Sequence, residues 1–282
     1  MIKRILVPLD SSPFTEATLN YACFLARQNN ATLTGLAVLD VPGIEKSVGT
    51  LPVGGIYYAD KLVEAKKHDE LDHIADLVAN FKAVCGREGV SHRVSQFQGS
   101  PSTEIIKESL YYDRVVMGMR TNFRCDAKPI DPGDAVENLL DDTITPFVVV
   151  PRELPDFPTA GKPWKVLVAF NSSLPSARAM HRFAQMADQQ LYQVKIFRCG
   201  GEESESRASL LRAANFLRDH GFEKRETCWM EEGKLSDEAD KLVDWADKVV
   251  VGVHSRAGLV DFMIGSFSRK LLHRADRMLL LG

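Results

Sequence analysis

The chain has 282 residues, 45% of them hydrophobic and 26% charged, which is typical of a soluble globular protein with room for two domains. Its formal net charge of −3 gives no electrostatic reason to expect nucleic acid or an anionic membrane surface as a partner. Five cysteines without a CxxC pair argue against a disulfide framework and a zinc ribbon, and favour a reducing compartment.

The first residues, MIKR, lead directly into an apolar strand without a leader-like region. No apolar stretch approaches the roughly 18 to 20 residues that span a bilayer. We therefore expect a cytoplasmic protein with no membrane partner.

Short apolar runs alternate with helical periods along the first half. The β-branched run Arg4–Leu9 predicts a strand buried on both faces. Ser11, Ser12 and Pro13 then predict a helix start, because a hydroxyl can cap the helix and proline suits its first turn. The later predicted strands are Thr32–Leu39, His92–Phe97, Arg114–Met117 and Phe147–Val150, and the later helices are Asp69–Gly86, Ser102–Leu110 and Ala135–Leu140.

The second half repeats this order of elements. Strands that alternate with helices imply right-handed crossovers and a parallel sheet with helices on both faces. The predicted fold class is therefore α/β, with two tandem, doubly wound, Rossmann-like domains of five parallel strands each. The strands predicted in the second half are Lys165–Phe170, Gln193–Cys199, Glu226–Met230, Lys248–Val251 and Met278–Leu281.

The two halves also repeat each other in sequence. Ile5–Gln28 matches Val166–Gln189 at a constant offset of 161 residues, and Gly99–Gly118 matches Gly233–Gly252 at an offset of 134. The order of the segments is kept, so one domain has been duplicated. The proline-containing stretch between the copies predicts a linker, which places the domains at residues 1–152 and 164–282 and the linker at 153–163.

The fall in offset from 161 to 134 leaves 27 extra residues in the first copy. They lie largely in Val41–Lys61, a segment rich in glycine and proline. Long loops in compact domains are usually functional or mobile. The segment is either a flap over the binding crevice of the first copy or a surface excursion.

A glycine-containing loop follows the fourth strand of the second copy, at the edge where doubly wound sheets bind ligands. Glycine lets the backbone come close to a phosphate, and the free N–H groups and dipole of a helix start favour an anion. Ser266 opens the final helix, and Ser268 adds a hydroxyl. The predicted phosphate-binding residues are Gly252, Val253, His254, Ser255, Gly265, Ser266, Phe267 and Ser268.

The repeated ILVPLD-SS start, the AD-x-VVVG segment and the final G-S-x-S resemble the universal stress protein family. Nucleotide-binding members of that family carry G-x-x-G-(nine residues)-G-[S/T] here. Gly252, Gly265 and Ser266 match this motif, and Ser255 stands in place of its second glycine. The resemblance implies an adenine nucleotide alpha hydrolase-like fold and binding of ATP or AMP, with Mg²⁺ accompanying ATP.

The resemblance also implies a contact to adenosine from an Asp that follows the first strand. Asp10 has this position in the first copy, whereas the second copy has Asn171, an amide that still donates and accepts hydrogen bonds without the charge. The neighbouring candidates are Ala169, Ser172 and Cys199 in the second copy and Pro8, Ser11 and Val38 in the first. Cys199 is interpreted as a small buried hydrophobe rather than a nucleophile.

The phosphate loop of the first copy departs from the motif. After Gly118 it lacks the second glycine, and Gly133 lies 12 positions after Thr121 rather than 10. Asp134 follows, and a carboxylate at a helix N-terminus repels phosphate. We therefore expect the second copy to be the better nucleotide site. Asp113 and Asp247 precede the fourth strands of both copies, which indicates a structural role.

The leading hypothesis is a cytoplasmic stress-response protein that binds ATP or a related adenine nucleotide in its C-terminal half. It would act as a ligand-responsive regulator, with no catalytic residue, no metal site and at most slow ATP hydrolysis. The alternative is a tandem scaffold, or a binder of a non-nucleotide small molecule, with both crevices degenerate. A hydrolase or transferase is the third alternative, although the sequence contains no readable nucleophile–base pair.

The fifth strands of the two copies, Phe147–Val150 and Met278–Leu281, are short and apolar. Unpaired edges of this kind promote self-association. The resemblance to the universal stress protein family, whose domains commonly pair through their last strands, implies that these two strands pair with each other inside the chain, which makes the monomer a pseudo-dimer. Whether two chains then form a homodimer stays open.

Overall fold

The computed structural model describes residues 2–49, 56–121, 139, 143–231, 237–253 and 266–282. These residues form two compact units, Ile2–Thr143 and Ile144–Gly282, called here the N-terminal unit and the C-terminal unit. Most of the predicted helix Ala135–Leu140 lies outside the described residues, although Leu139 is helical and buried. The predicted site residues that also lie outside are Gly133, Asp134, His254, Ser255 and Gly265.

The N-terminal unit contains a sheet of parallel strands in the order β3-β2-β1-β4. The strands are β1 (Arg4–Pro8), β2 (Thr32–Leu39), β3 (His92–Gln98) and β4 (Arg114–Gly118). The helices are α1 (Thr15–Asn29), α2 (Val41–Val48), α3 (Ile56–Arg87) and α4 (Pro101–Ser109). Because β2 and β4 flank β1 on opposite sides, the strand order reverses at β1.

The core of the N-terminal unit lies between this sheet and its helices. Ile5, Leu6 and Val7 of β1 are buried, as the β-branched run predicts for a central strand. On α3, the ring of Phe81 packs so closely over β2 that a Cβ atom at Gly35 would lie 2.9 Å from it. The glycine therefore lets the helix approach the sheet.

The segment inserted in the first copy is partly helical. Asp40 caps α2 by accepting a hydrogen bond from the backbone N–H of Gly43 at 3.0 Å, and α2 packs against α3. The expectation of one long loop over Val41–Lys61 is wrong for α2 and for the start of α3, which begins 13 residues before the predicted Asp69. Tyr57 and Tyr58 in that first turn are exposed, so no apolar stripe marks the turn in the sequence.

The C-terminal unit contains a sheet in the order β5-β10-β9-β6-β7-β8. Its strands are β5 (Phe147–Val150), β6 (Trp164–Ala169), β7 (Tyr192–Cys199), β8 (Arg225–Met230), β9 (Lys248–Val251) and β10 (Met278–Leu281). The helices are α5 (Leu174–Met186), α6 (Glu203–Asp219), α7 (Asp237–Trp245) and α8 (Ser266–Arg274), and Gln189–Leu191 form a 3-10 turn. The predicted α/β class with a mostly parallel sheet is confirmed.

The expected pairing of the two fifth strands is also confirmed. β5 runs antiparallel to β10, with Leu279 opposite Val149 and Leu281 opposite Phe147. The division into compact units groups β5 with the C-terminal unit. The units divide before Ile144, whereas the linker at residues 153–163 stays a prediction. No helix among the described residues is long and apolar enough to cross a membrane.

Asp113 and Asp247 have the structural role that the sequence indicates. The Asp113 carboxylate accepts hydrogen bonds from the backbone N–H groups of Lys3 and Arg4, at 2.7 and 2.9 Å. Asp247 accepts from the backbone N–H of Lys165 at 2.8 Å. Each carboxylate therefore connects the residue before a fourth strand to the start of the neighbouring first strand.

Candidate functional site

The predicted ligand residues of the second copy surround the carboxyl ends of β6, β7 and β9, which we call the β6 edge. The strand order reverses at β6, which is parallel to both neighbours, so these three ends lie together. Ala169 and Cys199 end β6 and β7, and Gly252 follows β9. The other described candidates follow these strands or open α8, namely Asn171, Ser172, Val253, Ser266, Phe267 and Ser268.

The loop after β6 is held by its own polar groups. The side-chain oxygen of Asn171 accepts a hydrogen bond from the backbone N–H of Ser173 at 3.1 Å, and the Asn171 N–H donates to the Ser176 hydroxyl at 3.4 Å. Ser173 caps α5 by accepting from the N–H of Ser176. The Asn171 oxygen is thus engaged within the loop, and its side-chain NH₂ is the group left to meet a ligand.

Gly252 fixes the exit of β9 against the start of α5. A Cβ atom at this position would lie 2.6 Å from the carbonyl oxygen of Pro175 and would overlap the backbone of Ser176. Only glycine therefore fits here. The N–H of Val253 donates to the carbonyl of Gly282 at 3.2 Å, which ties the same turn to the end of β10.

Helix α8 begins at Ser266, as the sequence predicts for the end of the phosphate loop. The Phe267 ring in its first turn lies 5.8 Å from the ring of Phe197 on β7, measured between centroids. This contact places the N-terminus of α8, with its free N–H groups, beside the β6 edge. The side chains of Ser266 and Ser268 lie outside the described part of the structure.

Acidic residues of α7 hold the other end of α8. Lys270 and Arg274 both form ion pairs with Asp240, at 2.8 and 3.3 Å. The hydrogen bond from Lys270 is the main reason that the pKa of Asp240 lies below its usual range. Hydrogen bonds to Asp276, and then to Asp244, raise the pKa of Arg274. These charges stabilise the packing of α8 on α7.

Arg198, the penultimate residue of β7, also lies at the β6 edge and was not among the predicted site residues. Its Nη1 atom donates to the hydroxyls of Ser172 and Ser209, at 2.8 Å each. The available signal was a charged residue beside the predicted position Cys199 in an otherwise apolar strand end. Cys199 itself is half-buried, with its Sγ atom 3.7 Å from the carbonyl oxygen of Glu231. Its side chain is therefore less buried than expected for a small hydrophobe.

Ser172 has a backbone conformation that is unusual for a residue with a side chain. Its φ of 65° lies in the left-handed region, which costs about 1 kcal/mol or more for residues other than glycine. The hydrogen bond from Arg198 holds the Ser172 hydroxyl in this conformation. Ser11, its counterpart after β1, is not in the left-handed region.

At the corresponding β1 edge of the N-terminal unit, at the carboxyl ends of β1, β2 and β4, the polar side chains bond to nearby protein groups. Asp10 is only 5% exposed, and its carboxylate accepts a hydrogen bond from the Thr15 hydroxyl at 3.0 Å. The Cβ atom of buried Phe14 lies 2.7 Å from where a Cβ would stand on Gly118. Thr121 donates to the Gly118 carbonyl at 2.6 Å.

The remaining candidates at the β1 edge differ in exposure. Pro8 is buried at the end of β1, Val38 is half-buried near the end of β2, and Ser11 is exposed. The carboxylate predicted to meet adenosine is therefore buried, and only Ser11 and part of Val38 are accessible. Among the residues that the structure describes, no cluster of three or more His, Cys, Asp or Glu side chains suits a metal ion.

The sequence and the fold were compared with known proteins. The model of the universal stress protein family matches residues 1–124. A universal stress protein from Archaeoglobus fulgidus DSM 4304 is similar over 99% of this chain and 97% of its own, with 18% identity and a TM-score of 0.64. A putative universal stress protein from Pseudomonas aeruginosa UCBPP-PA14 is similar over 99% of this chain and 92% of its own, with 16% identity and a TM-score of 0.57.

Other solved structures are similar to only part of this chain. A universal stress protein from Archaeoglobus fulgidus solved in complex with dAMP covers 53% of this chain and 99% of its own, at 17% identity and a TM-score of 0.33, too low to support a structural argument. No curated protein matches the sequence. The two structures that are similar over 99% of this chain support its fold alone, an α/β fold with a mostly parallel sheet. In sequence, the similarity to the universal stress protein family covers residues 1–124.

Proposed function

We propose that this chain is a tandem universal stress protein, with residues 164–282 as its second domain, and that it binds an adenine nucleotide at the β6 edge. The β1 edge is the poorer candidate, because Asp10 is buried and its carboxylate is bonded to Thr15. The protein would act in the cytoplasm as a ligand-responsive regulator rather than as a fast enzyme.

One observation carries the proposal. The loop after β6, the turn at Gly252 and the N-terminus of α8 converge at a single edge of the C-terminal sheet. Free N–H groups at the start of a helix favour a phosphate. The NH₂ group of Asn171 is a hydrogen-bond donor for the rest of the ligand. Together these groups suit a ligand with an anionic end and a polar middle.

The ligand class follows from the family and from these groups. We propose ATP or AMP, with Mg²⁺ accompanying ATP to neutralise part of its charge. Hydrolysis would be slow, because the sequence provides no evident general base beside the predicted phosphate position. Ligand binding would then act by ordering the site rather than by turnover.

Isothermal titration of the whole chain with ATP and Mg²⁺ tests the proposal. We expect one binding event per chain. Ser266→Asp should weaken it at least about tenfold, because a carboxylate in the first turn of α8 repels phosphate while favouring the helix itself. Asp134→Ser, which makes the opposite exchange in the first copy, is the matched control and should leave the affinity unchanged.

Two results would contradict this site. Either no heat with wild-type protein, or equal heat with wild type and Ser266→Asp, excludes nucleotide binding at the β6 edge. Loss of binding in Asp134→Ser instead would move the site to the first copy. Size-exclusion chromatography with light scattering tests the homodimer, which stays a prediction.

The alternative of a degenerate scaffold has one observation in its favour. The Asn171 oxygen is engaged within its own loop, so the edge lacks the acceptor that an aspartate would offer to a ribose hydroxyl. A native mass spectrum of freshly purified protein separates the two functions. A retained adenine nucleotide adds its own mass, whereas a scaffold shows the mass of the chain alone.

A further inference from the structure

At the β6 edge, only part of the hydrogen-bond donors of Arg198 are used by the described residues. A guanidinium carries five N–H donors. The two on Nη1 are used by the hydroxyls of Ser172 and Ser209, whereas the described residues provide no partner for Nε or Nη2. Nε and Nη2 form one side of the planar group, and this side can donate two parallel hydrogen bonds to two oxygens of a carboxylate or phosphate.

The charge of Arg198 is also left without a carboxylate among the described residues. The acidic residues that begin the neighbouring helix α6 have other partners. Glu202 caps the helix by accepting from the N–H groups of Ser204 and Glu205, and Glu203 pairs with Arg207 at 2.7 Å. Serine hydroxyls satisfy the Nη1 donors of Arg198 but do not neutralise a half-buried cation.

The two serines fix the orientation of the guanidinium. Ser172 belongs to the loop after β6 and Ser209 to α6, so Nη1 is held from two directions. Gly201 lies beside Nη2, where a Cβ atom would approach that nitrogen to 3.0 Å. Because Gly201 has a φ of 77° and no side chain, it leaves this side of the guanidinium uncovered.

The N-terminal unit has an alanine at the position that corresponds to Arg198. The N–H of Leu9 donates to the carbonyl of Leu36, and in the same way the N–H of Phe170 donates to Phe197, each at 2.8 Å. The residue after Leu36 is Ala37, which therefore corresponds to Arg198 and is buried. The positive charge at this place belongs to the second copy alone.

We propose that Arg198 binds an oxyanion of the ligand, a phosphate above all, through Nε and Nη2. β7 and β9 lie on opposite sides of β6, so this contact stands about 10 Å from the exit of β9, two strand spacings away. A ligand with more than one anionic group, such as ATP, is then held by anion contacts on both sides of β6. This inference deepens the proposed function and depends on it for the identity of the ligand as a nucleotide.

Titrations of four proteins test the assignment: wild type, Arg198→Gln, Arg198→Lys, and Arg212→Gln as the charge-matched control on exposed α6 surface. The probes are adenosine, AMP, ATP with Mg²⁺, and inorganic pyrophosphate. Arg198→Gln should weaken ATP and pyrophosphate about tenfold and leave adenosine and AMP, whose single phosphate is assigned to the start of α8, unchanged. Arg198→Lys should lose most of this affinity, because an ammonium lacks the two parallel donors. Arg212→Gln should bind like wild type.

The outcomes separate the two proposals. If Arg198→Gln binds every phosphate probe like wild type, the arginine contact is wrong and the nucleotide site stands. If wild type binds pyrophosphate through Arg198 but binds no nucleotide, the proposed function is wrong and the oxyanion contact stands. If wild type binds no probe, both are wrong. If a thermal melt shows that Arg198→Gln is unfolded, the result with Arg198→Lys decides.

Discussion

The loop after β1 and the loop after β6 begin from the same sequence pattern and end in different structures. After β1, Asp10 and Thr15 bond to each other and Phe14 packs inward, so the polar groups turn away from solvent. After β6, Asn171 bonds within its loop, and Ser172 takes a left-handed conformation bonded to Arg198. In the first loop the Asp10 carboxylate is bonded to a neighbouring hydroxyl and buried. In the second loop the Asn171 NH₂ group and the Arg198 guanidinium are hydrogen-bond donors that a ligand can meet.

This difference shows how duplication lets one copy change. Phe14 is buried in the N-terminal unit, where burial of an aromatic ring adds stability. Ser172 in the C-terminal unit has a strained backbone, a feature that is often associated with function. The two loops therefore differ in burial and in backbone conformation.

The largest effect is expected from adding one methyl group at the exit of each fourth strand. In Gly252→Ala the new Cβ meets the backbone of Pro175 and Ser176, which cannot turn away, so we expect a loss of about 4 kcal/mol. In Gly118→Ala it meets the side chain of Phe14, which can shift, so we expect about 2 kcal/mol. Urea unfolding of both variants checks the order. Equal losses would mean that the two exits are packed alike.

Much of the fold could be predicted because it depends on local sequence. The apolar runs of β5 and β10 indicate strands that need a partner, and they pair. The insertion was harder. Tyr57, Tyr58 and Leu62 at the start of α3 are exposed, so the apolar spacing that identifies a helix is missing there.

The site could be predicted only in part, for a different physical reason. Gly252 and the start of α8 follow from spacing along the chain. The contact between Arg198 and Ser172 joins residues 26 positions apart, and neither residue alone indicates it. The burial of Asp10 and its bond to Thr15 likewise depend on how the side chains turn after the backbone has folded. Sequence spacing identifies which strand ends meet, but not which side chains occupy the space between them.

A smaller effect is expected where the two copies agree. The Asp113 carboxylate accepts from two backbone N–H groups, whereas Asp247 accepts from that of Lys165. Asp113→Ala should therefore cost about 2 kcal/mol and Asp247→Ala about 1 kcal/mol. The free energy of unfolding in urea measures both. If one variant loses stability and the other does not, the carboxylate before the fourth strand stabilises only one of the two copies.

The smallest effect concerns the charges that fix α8 to α7 in the C-terminal unit. The hydrogen bond from Lys270, with the nearby charge of Arg274, holds the pKa of Asp240 below its usual range. A carboxyl group whose folded pKa is lowered contributes stability above its unfolded pKa and loses it as the pH falls through the folded value. Because the Asp240 side chain is 36% exposed, its contribution should be only about 0.5 kcal/mol at pH 7.

Asp240→Asn should therefore be less stable than wild type at neutral pH, and the difference should shrink as the pH falls below about 4, where the wild-type carboxyl begins to be protonated. Urea unfolding from pH 7 to pH 3 gives the comparison. Glu223→Gln, at an exposed position before β8, controls for the loss of one negative charge. A difference between wild type and Asp240→Asn that stays constant across this range would contradict the ion pairs. Helix α8 would then be held at the β6 edge by apolar packing alone, through contacts such as that between Phe267 and Phe197.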